Sequence, residues 1–258
     1  MTKLSLNLQT ASGHQVLAAA GKKYLRPGGR IATDKLLMWA NLQPGETVLE
    51  LASSFGYSAI ALAQRYHVKV IGIEKNHESV IHARANISAA RLDDQIEIIE
   101  GDIFHLDQIP IKFDYVLGEA ILTMQSPQGK AKLLAAIHHH LKPGGKFLSH
   151  ELLASNKEAE IRTELAQVIR VNSTPLSAAN WITAFTTAGL QVQQHHTGSM
   201  NLLNWQRMLQ EEGIVNTIKI WWNILTQPLI RQRVLEIRHV FHKYHQELGY
   251  ILISAVAQ

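Results

Sequence analysis

Residues 46–56 read ETVLELASSFG, and YSAIALAQ follows at once to position 64. The first part is an apolar, β-branched run after the turn signal Pro44-Gly45, and the second carries apolar side chains at helical spacing. That pattern predicts strand, tight turn, helix. In a doubly wound parallel sheet, ligands sit beyond the carboxyl ends of the strands, where a turn of small residues lets backbone N–H groups and a helix N-terminus come close. Ala52, Ser53, Ser54 and Gly56 make such a turn. Residues 68–74, VKVIGIE, then read as a buried strand ending in Glu74. Nucleotide-binding folds put at that place the acid that accepts from the ribose hydroxyls.

The order strand, small-residue turn, helix, strand, acid resembles the class I S-adenosylmethionine-dependent methyltransferases, over about residues 20–195 plus the last strand. The resemblance implies an α/β fold: a doubly wound, seven-stranded, mostly parallel Rossmann-like sheet with a helical cap insertion. It also implies S-adenosyl-L-methionine as cofactor. In the family's places stand Glu50 in the first strand, the 52–56 turn, Glu74 with Lys75 beside it, and Asp102 after the third strand. By the same resemblance Asp102 accepts from the adenine amino group and Ile103 and Phe104 bed the ring; read locally, Asp102 equally serves as a turn cap. The family's turn usually has three glycines in alternate positions. Here Ala52 and Ser54 fill the first two, so any position needing positive φ is strained.

Before the first strand, the pattern predicts helices over residues 15–24 and 33–40, broken by Pro27 and the glycine pair, with Thr33-Asp34 capping the second. The resemblance places Tyr24, Arg26, Gly28, Gly29 and Thr33 along the cofactor, the glycines by letting main chain come close; the local reading is an ordinary interhelix turn. Residues 79–91 are an amphipathic helix, 96–102 the third strand, and 113–119, FDYVLGE, the fourth. In the family that strand lies beside the reactive centre. Glu119 is therefore the candidate catalytic carboxylate, to orient an acceptor, take its proton or face the sulfonium, or else it is a carboxylate satisfied by nearby N–H groups. Met124 follows on the substrate side.

Residues 129–141 read as the next helix and 146–150 as the fifth strand, after the Lys142-Pro-Gly-Gly turn. His138, His139 and His140 are adjacent on that helix, so they point apart and cannot converge on one metal; a solvated helix end is expected and no metal. His150, at a strand's carboxyl end, is a candidate to face substrate. Residues 178–189 form a helix and 190–194 an edge strand, while 250–256 form a core strand that the resemblance places antiparallel between its neighbours.

Residues 201–246 are longer than a connection needs. Trp205, Met208, Trp221 and Trp222 there offer an apolar lid over substrate, or alternatively core packing or a dimer contact. The expected organisation is one domain over 1–258: a helical cap at 1–40, the cofactor-binding core at 41–200, a substrate-side insertion at 201–246 and the final strand at 247–258. The absence of cysteine excludes disulfide and thiolate chemistry. A net charge of +4 raises nucleic acid as a partner, but the lysines and arginines are scattered apart from two short clusters, at 22–30 and 231–238, and this favours a small-molecule acceptor. No apolar run is long enough for a membrane span and the start lacks a signal peptide's apolar region, so a cytoplasmic protein is expected, with a homodimer left open. A dinucleotide-dependent oxidoreductase is disfavoured, because a pyrophosphate needs the full glycine fingerprint. A non-catalytic protein that retains the fold is the other reading.

Overall fold

The computed structural model describes residues 7–22, 25–200 and 205–258, with only the backbone at Trp205. Tyr24 lies outside the described residues, as does the side chain of Trp205. Seven strands form one sheet: β1 (Thr47–Leu51), β2 (Lys69–Glu74), β3 (Ile96–Glu100), β4 (Phe113–Glu119), β5 (Leu141–Ala154), β6 (Leu190–Ser199) and β7 (Leu248–Ala257), in the order β3-β2-β1-β4-β5-β7-β6. The first five run parallel, and β7 is antiparallel to both β5 and β6. β1 leads outward to β2 on one side and pairs with β4 on the other, so the order reverses between β1 and β4. A crevice beyond the carboxyl ends of those two strands is the place such a sheet offers a ligand.

Helices cover both faces because alternate strand residues point to opposite sides. Val48, Val70, Ile98 and Leu117 pack on α2 (Gly29–Ala40), α3 (Tyr57–Tyr66) and α4 (His77–Ala89). Leu49, Leu51, Val116 and Phe147 pack on α5 (Pro127–His140) and α7 (Ala178–Thr187). Trp181 of α7 is fully buried with its indole N–H donating to the Leu152 carbonyl at 2.9 Å. A third cluster joins α1 (Gly13–Ala19) to α8 (Trp205–Thr226) and α9 (Pro228–Lys243), and a fourth sets α6 (Glu158–Ile169) against α9 and the end of β5. α8 is two helical pieces meeting at Gly213, whose backbone (φ 75, ψ 167) is non-helical.

Several expectations from the sequence are corrected. The first helix ends at Ala19 rather than residue 24. The second begins at the glycine pair, with Gly28 at its N-cap, so Thr33 and Asp34 lie inside it and do not cap it. The Lys142-Pro-Gly-Gly segment bulges within β5, between the Phe113–Leu141 and Tyr115–Lys146 pairs. β5 then runs on to Ala154, because β7 pairs with it from Lys146 to Ala154. Met208 is buried and Trp221 packs in the α1–α8–α9 cluster, while Trp222 is 67% exposed; these three do not form one apolar lid. Among the described residues no group of histidines and acids is arranged to hold a metal ion, and His140 turns its Nδ1 to the Ala136 carbonyl.

Candidate active site

The turn after β1 keeps the conformation of a three-glycine turn with only one glycine. Ala52 (φ 54), Ser54 (φ 49) and Gly56 (φ 76) are all left-handed, at alternate positions. For Ala and Ser that backbone costs about 1–2 kcal/mol each. Contacts from both sides hold it: Ser53 donates its N–H to the Ile73 carbonyl at 3.1 Å, and Ser54 donates its N–H to Glu74 Oε2 at 2.9 Å. Ser53 lies where a side chain at Gly72 would have to go, which lets the turn settle onto β2.

Glu74 accepts a second N–H, from Asn76, on Oε1 at 2.8 Å. Each carboxylate oxygen has two lone pairs, so each keeps one for a ligand. On the next strand tip Asp102 Oδ2 pairs with Lys75 Nζ at 2.8 Å and Oδ1 accepts the Phe104 N–H at 3.0 Å. The Lys75 ammonium, and after it the Phe104 N–H, hold this carboxyl below its ordinary pKa. Ile103 and Phe104 are half-buried and rest on the core of that face.

At the crevice between β1 and β4 the buried charges converge. Glu119 Oε2 pairs with Arg26 at 2.9 Å, and Oε1 accepts from Thr33 Oγ1 at 2.5 Å and from His150 Nδ1 at 3.2 Å. Burial alone would raise the Glu119 carboxyl, but the Arg26 guanidinium and the bonds from His150 and Thr33 outweigh it, so the group is ionised with a lowered pKa. The strand register that pairs Glu119 with His150 creates this contact. His150 is fully buried, and its Nε2 accepts the Gly28 N–H at 2.9 Å, so Nδ1 carries the proton and the ring is neutral. Burial lowers its pKa against the opposing pull of Glu119. Both ring nitrogens are thus used within the protein, tying β5 to the residue 26–29 loop. Arg26 also donates to Thr33 and, by its other terminal nitrogen, to Ser58 in the first turn of α3.

Beside this group lies Glu50. It is buried, its pKa is raised to about 7 by loss of water despite the nearby Arg26 charge, and its Oε2 has no hydrogen-bond partner. A buried acceptor without a donor costs on the order of 1–3 kcal/mol, which a cationic or donor group of a ligand would remove.

Sequence reasoning missed the residues that brace this site. Arg207 donates to the Arg26 and Pro27 carbonyls at 2.6 and 2.7 Å and pairs with Glu211 at 3.0 Å; Glu211 in turn accepts the Arg30 N–H at 2.8 Å. These α8 side chains fill the space that a Cβ would need at Gly29, and His150 and Tyr250 do so at Gly28. The close approach expected at the two glycines is therefore to the protein's own side chains. On the other side Glu151, fully buried and raised to about 7 by burial, accepts the Leu122 and Thr123 N–H groups at 3.1 and 2.8 Å. It thereby fixes the turn that carries Met124, which is half-exposed. A carboxylate at position 151, directly before the apolar Leu152 and Leu153, and the i,i+4 pair Arg207 and Glu211 were the available signals.

Comparison with known proteins bears on the same segment. Residues 48–145 match the family described as "Methyltransferase domain". A protein of Haemophilus influenzae with no assigned activity is 34% identical over 214 residues, covering 83% of this chain and 85% of its own. Sterol 24-C-methyltransferase of Pneumocystis carinii is 26% identical over 135 residues, 52% of this chain but only 35% of that enzyme. Among solved structures, a SAM-dependent methyltransferase from Geobacter sulfurreducens in complex with S-adenosylhomocysteine superposes with a TM-score of 0.68 at 16% identity, covering 95% of this chain and 98% of that one.

The chain belongs to the class I S-adenosylmethionine-dependent methyltransferases. S-adenosylmethionine is the cofactor of this family, and the residues present suit it: a left-handed turn of small residues, two acids on neighbouring strand tips with lone pairs to spare, and a buried Glu50 oxygen lacking a donor. In a methyltransferase of this class the Glu50 carboxylate has the right charge to receive the cofactor's ammonium.

Proposed function

We propose that this protein transfers the methyl group of S-adenosylmethionine to a small-molecule acceptor. The observation that carries the reading is Glu50, a desolvated carboxylate with an unsatisfied oxygen at the switch point of the sheet. In this reading Glu74 takes the ribose hydroxyls, Asp102 the adenine amino group, Ile103 and Phe104 the ring, and Lys75 holds Asp102 in place. Thr33 and the Arg26–Gly29 loop, braced by His150 and Arg207, cover the methionine end, and Met124 borders the acceptor side.

When bound, the cofactor supplies an electrophilic methyl on a sulfonium, so the protein's work is to hold an acceptor in line and exclude water. Glu119 is ionised and its pKa is lowered, which makes it a poor proton acceptor. Its part is electrostatic: it fixes Arg26 and presents negative charge toward a cationic centre. The acceptor's own proton leaves to water or buffer. The left-handed form that the turn keeps at 52 and 54 without glycine supports cofactor binding, and turnover of labelled cofactor separates an enzyme from a non-catalytic binding protein of the same fold.

The test incubates the protein with methyl-labelled cofactor and a cell extract separated by filtration into small molecules and macromolecules. Label is expected in the small-molecule fraction, and Glu119→Gln lowers turnover by on the order of 10²-fold. Label confined to RNA, DNA or protein would overturn the acceptor class, and unchanged turnover in Glu119→Gln would remove that residue from the mechanism.

A further inference from the structure

The second half of α8 presents a row of large apolar side chains to solvent. Ile214 is 69% exposed, Val215 84%, Ile218 58%, Trp222 67% and Leu225 62%, and Leu229 at the start of α9 is 43% exposed. The spacings 214, 218, 222 and 225 put four of them on one helical stripe of α8, turned away from the buried Thr217, Ile220 and Ile224, and Leu229 follows after the break at Gln227. A contiguous exposed patch of this kind marks an interaction surface.

The charges around it say what the partner is. From Gly213 to Leu235 the sequence contains no Asp or Glu, while Lys219 is exposed at the border of the stripe and Arg231 is exposed on the first turn of α9. Arg238 is exposed further along α9, with Leu235 between the two arginines. A second copy of the chain docked on this face about a two-fold axis would set these cations against their own counterparts. An anionic surface meets both the apolar row and the cations. Trp222 suits such a boundary, with an apolar ring and a polar N–H, and Lys219 can lay its methylenes on the apolar stripe with its ammonium in the headgroups. No described helix is long and apolar enough to cross a membrane, so the helix would lie in the plane of the surface.

We propose that the exposed face of α8, from Ile214 to Leu225, docks the protein on an anionic phospholipid bilayer. The first half of the same helix grips the Arg26 loop through Arg207 and Glu211, and the two halves meet at Gly213. Docking therefore bears on the element that closes the site, whichever acceptor it serves.

The experiment is sedimentation of the full chain with vesicles of phosphatidylcholine alone or with phosphatidylglycerol, at low and high salt. Binding is expected only with phosphatidylglycerol and is weakened by salt. Ile218→Glu with Leu225→Glu abolishes it, and Lys219→Gln or Arg231→Gln each weakens it about fivefold. Unchanged S-adenosylhomocysteine binding by calorimetry shows that each variant is folded. Failure of the wild type to bind the anionic vesicles, variants that bind as well as wild type, or a wild-type dimer that the Glu variants split into monomers would each overturn the proposal.

Discussion

Glu50 is a carboxylate that the fold has stripped of water without giving both oxygens a partner. Its carboxyl titrates at about 7 in the free protein, so at lower pH it is neutral and must ionise to pair with an ammonium. Affinity for S-adenosylhomocysteine is therefore expected to rise as pH increases through that value, with a proton released on binding. Glu50→Gln weakens binding and flattens the pH profile; an unchanged profile in the variant would show that another group titrates. The turn offers a second residue-scale test. Ser54 in a left-handed backbone costs about 1–2 kcal/mol, and glycine there loses only about 0.5–1 kcal/mol of that advantage through its freer unfolded chain. Ser54→Gly is expected to raise the melting temperature slightly, and a fall would mean that the Ser54 side chain makes a stabilising contact. The acids Glu50, Glu74, Asp102 and Glu119 were legible from sequence because each ends or interrupts an apolar strand. Arg26 fixing Glu119 was not legible, because 93 positions separate them and only the β4–β5 register and the α2 loop bring them together.

At the scale of elements, the N-terminal half of α8 holds the Arg26–Gly29 loop by a buried cluster. Lys22 Nζ stands 3.7 Å from Glu211 and 3.6 Å from Glu212, with all three side chains almost inaccessible, and burial lowers the Lys22 pKa. Removing one partner from such a group leaves buried charge uncompensated, at a cost of about 3–5 kcal/mol. Arg207→Ala is expected to destabilise by about 3 kcal/mol in urea titration and to weaken cofactor binding with it, since two loop carbonyls lose their donor. Loss of stability with full affinity would uncouple α8 from the site. β1 to β4 and the helices between them were readable because parallel strands buried on both faces give unbroken apolar runs. α6 went unread, since its apolar residues Ile161, Leu165 and Ile169 are few and are buried only by α9 and β5. The full length of β5 and β6 was hidden for the same kind of reason: pairing with β7 extends them past their apolar stretches.

For the whole molecule, burial has raised both Glu50 and Glu151 from 4.5 to about 7. In that window the native state holds more protons than the unfolded chain, so their contribution is full below pH 4.5 and is lost as pH rises to about 7. Asp102 and Glu119 act oppositely, being lowered, and their contribution is lost as the solution becomes acidic. The urea midpoint of the free protein is expected to fall from about pH 5 to about pH 7, less steeply in Glu50→Gln. A midpoint that rises over this range would mean that these carboxylates find partners when ionised. The central claim is that acids at the tips of neighbouring parallel strands hold one S-adenosylmethionine at the switch point of the sheet. Calorimetric titration with S-adenosylhomocysteine tests it most directly, with NAD as the control ligand and Glu74→Ala as the control protein. The account predicts saturable binding at one site per chain, no heat with NAD, and binding lost in Glu74→Ala; absence of binding to the wild type, or equal affinity in Glu74→Ala, would contradict it.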